Sequence, residues 1–216
     1  LNITGWLRGK DWTEAKPQLS FSLAEEKKGE KILETMGLPK YAKFVCIFAK
    51  DNQYSDNPFS PPTLGSFWSE KDFRNCNIEN YLDAAEFLTN QNIYVIRMGL
   101  HKPSEIIKTT NSKIIDYTGK IRSNLEDPEF ADAYLPAKCE FFIGCTSATY
   151  QFASIFNTPV AYTNMIPYGE CGRNFHDIIL FKKCLNKYNH KILSISEAIQ
   201  NGITGDWLTE EKILDL

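Results

Sequence analysis

No run of about 18 apolar residues occurs anywhere in the chain, so the sequence offers no segment able to cross a bilayer as a helix. A basic excess is also missing: 24 Lys and Arg stand against 27 Asp and Glu, for a net charge of −3. General nucleic-acid binders show the opposite bias, so no nucleic-acid partner is expected. Histidine is scarce. The three present (His101, His176 and His190) are scattered, without the spacing of a zinc site, and no metal is expected. The six cysteines, at 46, 76, 139, 145, 171 and 184, form no CxxC pair. That pattern suits reduced, mostly buried thiols in a cytoplasmic protein. Internal repeats and low-complexity tracts are absent, as are a P-loop, a GxGxxG turn and a DxD motif.

What is there is the composition of an ordinary globular protein, 43% hydrophobic and 24% charged over 216 residues, long enough for a sizeable core. The chain opens on Leu1 and closes in "TEEKILDL", which looks like a helix cut short. The expectation is that both ends are truncated. Residues 1–22 read as irregular, with Gly5, Gly9 and Pro17 as loop markers. A helix is expected over 22–36 with Ser22 as a possible cap. From there strand and helix signals alternate. Strands are expected at 43–49, 93–99, 113–118, 139–144, 159–164 and 176–182. Helices are expected over 78–91, over 127–137 with Pro128 in the first turn, after Gly144, and over 195–203 with Ser196 as cap. Strands that are apolar on both faces and separated by helices imply a doubly wound, mostly parallel, Rossmann-like α/β sheet. Ligands of such sheets bind beyond the carboxyl ends of the strands.

The strand ends therefore supply the candidates. After the first strand a long polar loop carries Lys50, Asp51, Asn52, Tyr54, Asp72, Arg74 and Asn75. It reads either as a solvated surface loop or as a functional one. The second strand closes on Arg97, which needs a partner if buried. Either a phosphate or Asp116 at the next strand end can serve. Asp116 and Tyr117 can orient Arg97, or stack on and hydrogen-bond a base or ribose. The fourth strand runs into Gly144-Cys145-Thr146-Ser147-Ala148-Thr149 ahead of a helix. This is either a plain helix cap or an anion seat built from helix N–H groups and hydroxyls. Asn164, at the end of the fifth strand, reads as a turn signal or a ligand contact, and Arg173 is a further candidate anion contact.

The segments "FVCIFAKDNQY", "DFRNCNIENYLDAAEFLTNQNIYVIRMG", "KIIDYT" and "CEFFIGCTSATYQFASIFNTPVAYTN" together resemble a bacterial family of glycosyltransferases with a GT-B-type nucleotide-sugar-binding domain. The last segment is more loosely similar to the donor domains of heptosyltransferases and of fucosyltransferases that act on proteins. The likeness spans about residues 43–164. It implies an N-terminal segment, 1–40, left from a preceding domain, and a nucleotide-sugar-binding domain over 41–216. It implies transfer of a sugar from a nucleotide-sugar to a glycan or lipid-linked acceptor in bacterial surface polysaccharide synthesis. No cofactor and no metal are implied. The setting implied is cytoplasmic, at the inner face of the membrane, with peripheral association through regions beyond this chain. Asp51, Arg97 and Lys50 are then the catalytic candidates, with Asp51 as general base. Arg74, Asn75, Asp116, Tyr117, Gly144, Thr146, Ser147, Thr149 and Asn164 are the donor-binding candidates. The sequence departs from the family at two positions: Lys50 stands where an arginine is usual, and Ala148 where a glycine is usual. Two alternatives stay open: another Rossmann-like sugar-nucleotide enzyme such as an epimerase, or a non-catalytic binding module with a degenerate site.

Overall fold

The computed structural model describes residues 17, 19–51, 72–99, 107, 109–169, 174, 176–186 and 188–203. Asn52, Tyr54, Arg173 and the "TEEKILDL" segment lie outside the described residues.

Among the described residues, six parallel strands form one sheet. They are β1 (Phe44–Phe48), β2 (Tyr94–Arg97), β3 (Ile114–Asp116), β4 (Phe142–Gly144), β5 (Val160–Met165) and β6 (Ile178–Phe181). Their order is β3-β2-β1-β4-β5-β6. The chain winds outward in one direction through β2 and β3, then returns past β1 and winds the other way. The reversal falls between β1 and β4, which is where an α/β sheet of this type opens a crevice at its carboxyl edge. The register sets the strand ends side by side: Phe48 against Gly144, and Arg97 against Asp116.

Successive residues of the strands point to opposite faces, and both faces are buried over the centre of the sheet. Phe44, Cys46, Ile96, Phe142 and Tyr162 share one core cluster with Ile32, Leu135 and Ala153. The last three belong to α1 (Leu23–Thr35), α4 (Pro128–Lys138) and α5 (Tyr150–Ile155). Val45, Ile47, Val95 and Ile114 share the opposite cluster with Ile78 and Tyr81 of a 3-10 turn and with Ala85 and Leu88 of α2 (Leu82–Asn90). A one-turn helix, α3 (Lys120–Ser123), follows β3, and α6 (Ile195–Gln200) closes a small third cluster with Ile166, Tyr168 and Ile203. Strand β6 differs from its neighbours: Ile178 and Leu180 are more than 60% exposed, so only one of its faces is covered.

Local chemistry explains the helix boundaries. Ser22 Oγ accepts from the Glu25 N–H, and the Glu25 carboxylate accepts from the Ser22 N–H at 2.7 Å, a reciprocal capping box for α1. Asp127 caps α4 ahead of Pro128, whose missing N–H costs nothing in the first turn. For α6 the cap is Ser194 rather than the expected Ser196. The reason is again a capping box, closed by Glu197 three residues on. In α1 the mid-helix Gly29 lies under the ring of Tyr134 from α4. An added Cβ would sit 2.0 Å from that ring, so the glycine sets how closely the two helices approach.

Candidate functional site

The carboxyl edge at the β1/β4 reversal is built around Lys50 and Asn75. Lys50 follows β1, and its backbone is fixed from two sides: its N–H donates to Cys145 Sγ at 3.1 Å, and its C=O accepts from the Cys76 N–H at 3.0 Å. The β1 loop is therefore tied directly to the residue that follows β4. The Lys50 ammonium donates to Asn75 Oδ1 at 2.8 Å and to the Asp51 C=O at 3.3 Å. Asn75 is a hub. Its C=O accepts from Lys182 Nζ at 3.2 Å and from Asn164 Nδ2 at 3.4 Å. Lys182 also donates to the Phe73 C=O. Thus two ammonium groups, from the ends of β1 and β6, converge on one asparagine. Burial lowers the pKa of Lys182, whose charge the nearby cysteine sulfurs in turn favour. Asp51 is half-buried beside Lys50, and Arg74 is half-buried in the 3-10 turn Asp72–Arg74 that leads into Asn75.

Asn164 lies within β5, as the expected strand over 159–164 has it, and takes a left-handed backbone with φ of 53°. The β5–β6 register shifts between Tyr162 and Met165, the mark of a bulge at that point. The bulge carries the Asn164 amide to the Asn75 carbonyl. Its neighbour Thr163 shares a 2.7 Å hydrogen bond with the Tyr81 hydroxyl, which lies 3.5 Å from Cys76 Sγ.

Cys76 and Cys145 meet here. The neighbouring Cys145 side chain, with smaller help from the Tyr81 hydroxyl, the backbone of Lys50 and the charge of Lys182, lowers Cys76 from the ordinary 9.0 to about 6 against the opposing effect of burial. The Cys76 side chain, together with burial, pushes Cys145 well up. Burial first, and then the two sulfurs, push the Tyr81 hydroxyl up as well, so it stays a proton donor.

Other candidates are turned to structural use. Arg97 is 4% exposed and pairs with Asp116 at 3.3 Å. Asp116 also accepts from the N–H and hydroxyl of Thr118. Parallel register alone brings Arg97 and Asp116 together, and the carboxylate satisfies a charge that would be costly to bury alone. Tyr117 offers no face to a base. It is fully buried, and its hydroxyl donates to Asp132 at 3.0 Å and to the Pro128 C=O. Asp132 is held in turn by Arg122 through contacts of 2.8 and 3.1 Å.

The glycine-hydroxyl turn is likewise explained from within. An added Cβ at Gly144 would lie 2.6 Å from the Phe142 ring, so this glycine makes room for a core aromatic. Thr146 is 2% exposed, and its hydroxyl donates to the Ile166 C=O and accepts the Ile166 N–H, at 2.9 and 3.1 Å. It latches the end of β4 to the chain leaving β5. Ser147 Oγ accepts from the Thr149 N–H at 3.0 Å, a local turn bond. Thr149 precedes α5 without a side-chain cap of its own. The helix spans six residues, fewer than two turns, so it contributes little dipole to an anion. Ala148 is exposed.

The structure thus gathers Lys50, Asn75 and Asn164, and adds Lys182, Cys76, Cys145, Tyr81 and Thr163. It gives Arg97, Asp116, Tyr117 and Thr146 partners within the fold. Lys182 was readable as a basic residue closing the sixth strand. The cysteine pair had no sequence signal, since 76 and 145 meet only through strand order. Among the described residues no cluster of three or more His, Cys, Asp or Glu is placed to hold a metal. None of the helices described is long and apolar enough to cross a membrane.

No family model, no curated protein and no solved structure matches this chain.

Proposed function

We propose that this chain is the donor-binding domain of a GT-B-type glycosyltransferase that takes a nucleotide-sugar and passes the sugar to a glycan or lipid-linked acceptor. One observation carries the reading most: the Lys50 and Lys182 ammonium groups converge on Asn75 beyond the carboxyl ends of the strands, at the point where the winding reverses. Breaking a sugar–phosphate bond leaves negative charge on the departing diphosphate. Fixed cations aimed at that charge stabilise it without reorganising. Lys50 and Lys182 take this role in the reading, and Asn75 and Asn164 hold them and the β5 bulge in register. Asp51, next to Lys50, takes the acceptor proton. Arg97 acts on this edge indirectly, by fixing the ends of β2 and β3 through Asp116.

Calorimetric titration with a panel of nucleoside diphosphates tests the reading. Binding is expected for at least one of them, weakened about tenfold or more in Lys50→Ala, because a hydrogen bond to a charged group contributes about 1.5–3 kcal/mol. Absence of binding by every nucleoside diphosphate at millimolar concentration would overturn it. A second reading, a non-catalytic binding module, draws its support from Arg97, whose guanidinium is already engaged by Asp116. It expects diphosphate binding with no release or transfer of sugar from any nucleotide-sugar.

A further inference from the structure

We infer that the hairpin following β6 docks the protein onto the surface of an anionic lipid bilayer. The inference goes beyond the donor-binding reading and does not need it.

The chain leaving β6 turns back on itself, residues 184–186 against 191–193. The Asn186 N–H donates to the Lys191 C=O and the Leu193 N–H to the Cys184 C=O, both at 2.9 Å, around the antiparallel bridge of Leu185 with Ile192. Side chains alternate across this pair. Cys184 and Leu193 face inward and pack in the small third cluster. Leu185 and Ile192 therefore stand side by side on the outer face, 52% and 53% exposed. The turn between them is held from within. Asn186 Oδ1 accepts the N–H groups of Tyr188 and Asn189, and the Asn186 C=O accepts that of His190. This ordered turn leaves Tyr188 73% exposed. Large apolar side chains grouped on a fixed turn mark a surface that meets something other than water.

Charge identifies the partner. From Ile178 to Ser196 the sequence holds four lysines and one histidine, with no aspartate or glutamate. That stretch carries +4 in a chain of net −3, which leaves −7 for the rest. Lys183, His190 and Lys191 are exposed on or beside the hairpin. Lys182 turns inward to Phe73 and Asn75, and Glu197 offsets Lys191 at 3.2 Å, so Lys183 is the first cation to test. Lysines set around exposed aliphatic and tyrosine side chains match a bilayer surface. Its anionic headgroups attract the ammonium groups, while the ring and the aliphatic chains enter the interface. A second copy of the chain fits less well. Twofold pairing of the hairpins would bring their lysines together, and a hairpin set on a different, acidic face would not close into a symmetric dimer. The hairpin begins two residues after Lys182, whose ammonium reaches the carboxyl edge at Asn75. Docking thus brings that edge toward the bilayer. On the donor-binding reading, it places the site where a lipid-linked acceptor presents its sugar.

Co-sedimentation of the full chain with lipid vesicles provides the test. The chain should pellet with phosphatidylcholine vesicles that contain about one-third phosphatidylglycerol, and stay in solution with phosphatidylcholine alone. Added salt should release it, because exposed charges are screened. Lys183→Ala should weaken binding about fivefold, the contribution of one lysine at an anionic surface. Tyr188→Ser should weaken it about tenfold, through loss of the ring from the interface. Leu23→Ser, which alters an exposed apolar residue of α1, should bind as the parent does. Circular dichroism spectra matching the parent show that the variants are folded. Equal pelleting with and without the anionic lipid, no pelleting with either, or full binding by both hairpin variants would each overturn the inference. A dimer that Tyr188→Ser disperses, found without vesicle binding, would assign the hairpin to self-association instead. The assay contains no nucleotide, so its failure and that of the diphosphate titrations are separate results.

Discussion

Alkylation of Cys76 by iodoacetamide, followed from pH 5 to 9, exposes the electrostatics of the carboxyl edge. An ordinary thiol titrating at 9.0 is about 1% thiolate at pH 7, whereas one lowered to about 6 is about 90% thiolate. That is a gain of roughly 90-fold in the reactive form. Against it, nucleophilicity falls with basicity at about 0.4–0.5 log per pKa unit, a loss of roughly 20-fold over the shift. The net advantage at pH 7 is therefore only about fourfold. At pH 6 it rises to about 20-fold, and near pH 8 it vanishes. The rate of Cys76 modification should climb through pH 6 and be flat above about 7, while free cysteine in the same buffer keeps accelerating toward 9. In Cys145→Ala the largest lowering influence is gone, so the rise should move to higher pH. Site-resolved mass spectrometry gives the rate at Cys76 alone. A Cys76 rate that tracks free cysteine, or a profile that Cys145→Ala leaves in place, would refute the argument that Cys145 holds the thiolate.

Three further outcomes follow from named contacts. Asp132→Ala removes the acceptor shared by the buried Tyr117 hydroxyl and by Arg122, which keeps Glu129, so a loss of about 1–3 kcal/mol is expected in urea unfolding. Gly29→Ala sets two effects against each other. Alanine gains about 1 kcal/mol in helix propensity, but its methyl would fall 2.0 Å from the Tyr134 ring, and overpacking of this kind costs about 1–3 kcal/mol. The clash is with a ring locked between helices, so a net loss is expected in the same assay. Acidification should loosen α6 from its N-terminal end. Glu197 is lowered from 4.5 to about 2 by its hydrogen bonds to Ser194 and then to Lys191, so its stabilising effect is complete above about 4.5 and is lost as pH falls toward 2. Amide exchange at the first turn of α6 should accelerate over that window in the parent and show no such step in Glu197→Gln.

The sheet was legible because its central strands are buried on both faces. Continuous apolar runs such as "FVCIF" have few other homes in a chain with helices between them. Met98 and Tyr117 fall one residue past β2 and β3, yet each still donates its N–H to the neighbouring strand, at 2.8 and 3.2 Å, and packs into the core. Strand β6 showed the limit of the pattern. Its apolar run resembles the others, yet as an edge strand with one bare face it leaves Ile178 and Leu180 in solvent. The cap of α6 was written in the sequence as Ser194-Ile195-Ser196-Glu197, where the glutamate's spacing selects the first serine over the second.

The site was legible only to the extent that its partners are near in sequence or in register. Arg97 and Asp116 close adjacent strands, so the pair follows from parallel order alone. Tyr117, one residue further on, turns the other way because its hydroxyl is captured by Asp132, and no local feature of "DYT" announces a carboxylate 15 residues downstream. Thr146 reads as a helix-cap hydroxyl until β5 returns beside β4 and presents the Ile166 peptide to it. The same reasoning accounts for the cysteines. With β1 central and β4 as its neighbour, the residue after β4 must lie against the loop leaving β1, and Lys50 bonds to Cys145 for that reason. A strand order that placed β4 elsewhere would break the Lys50–Cys145 bond. The convergence of Lys50 and Lys182 on Asn75 is thus a property of the winding reversal.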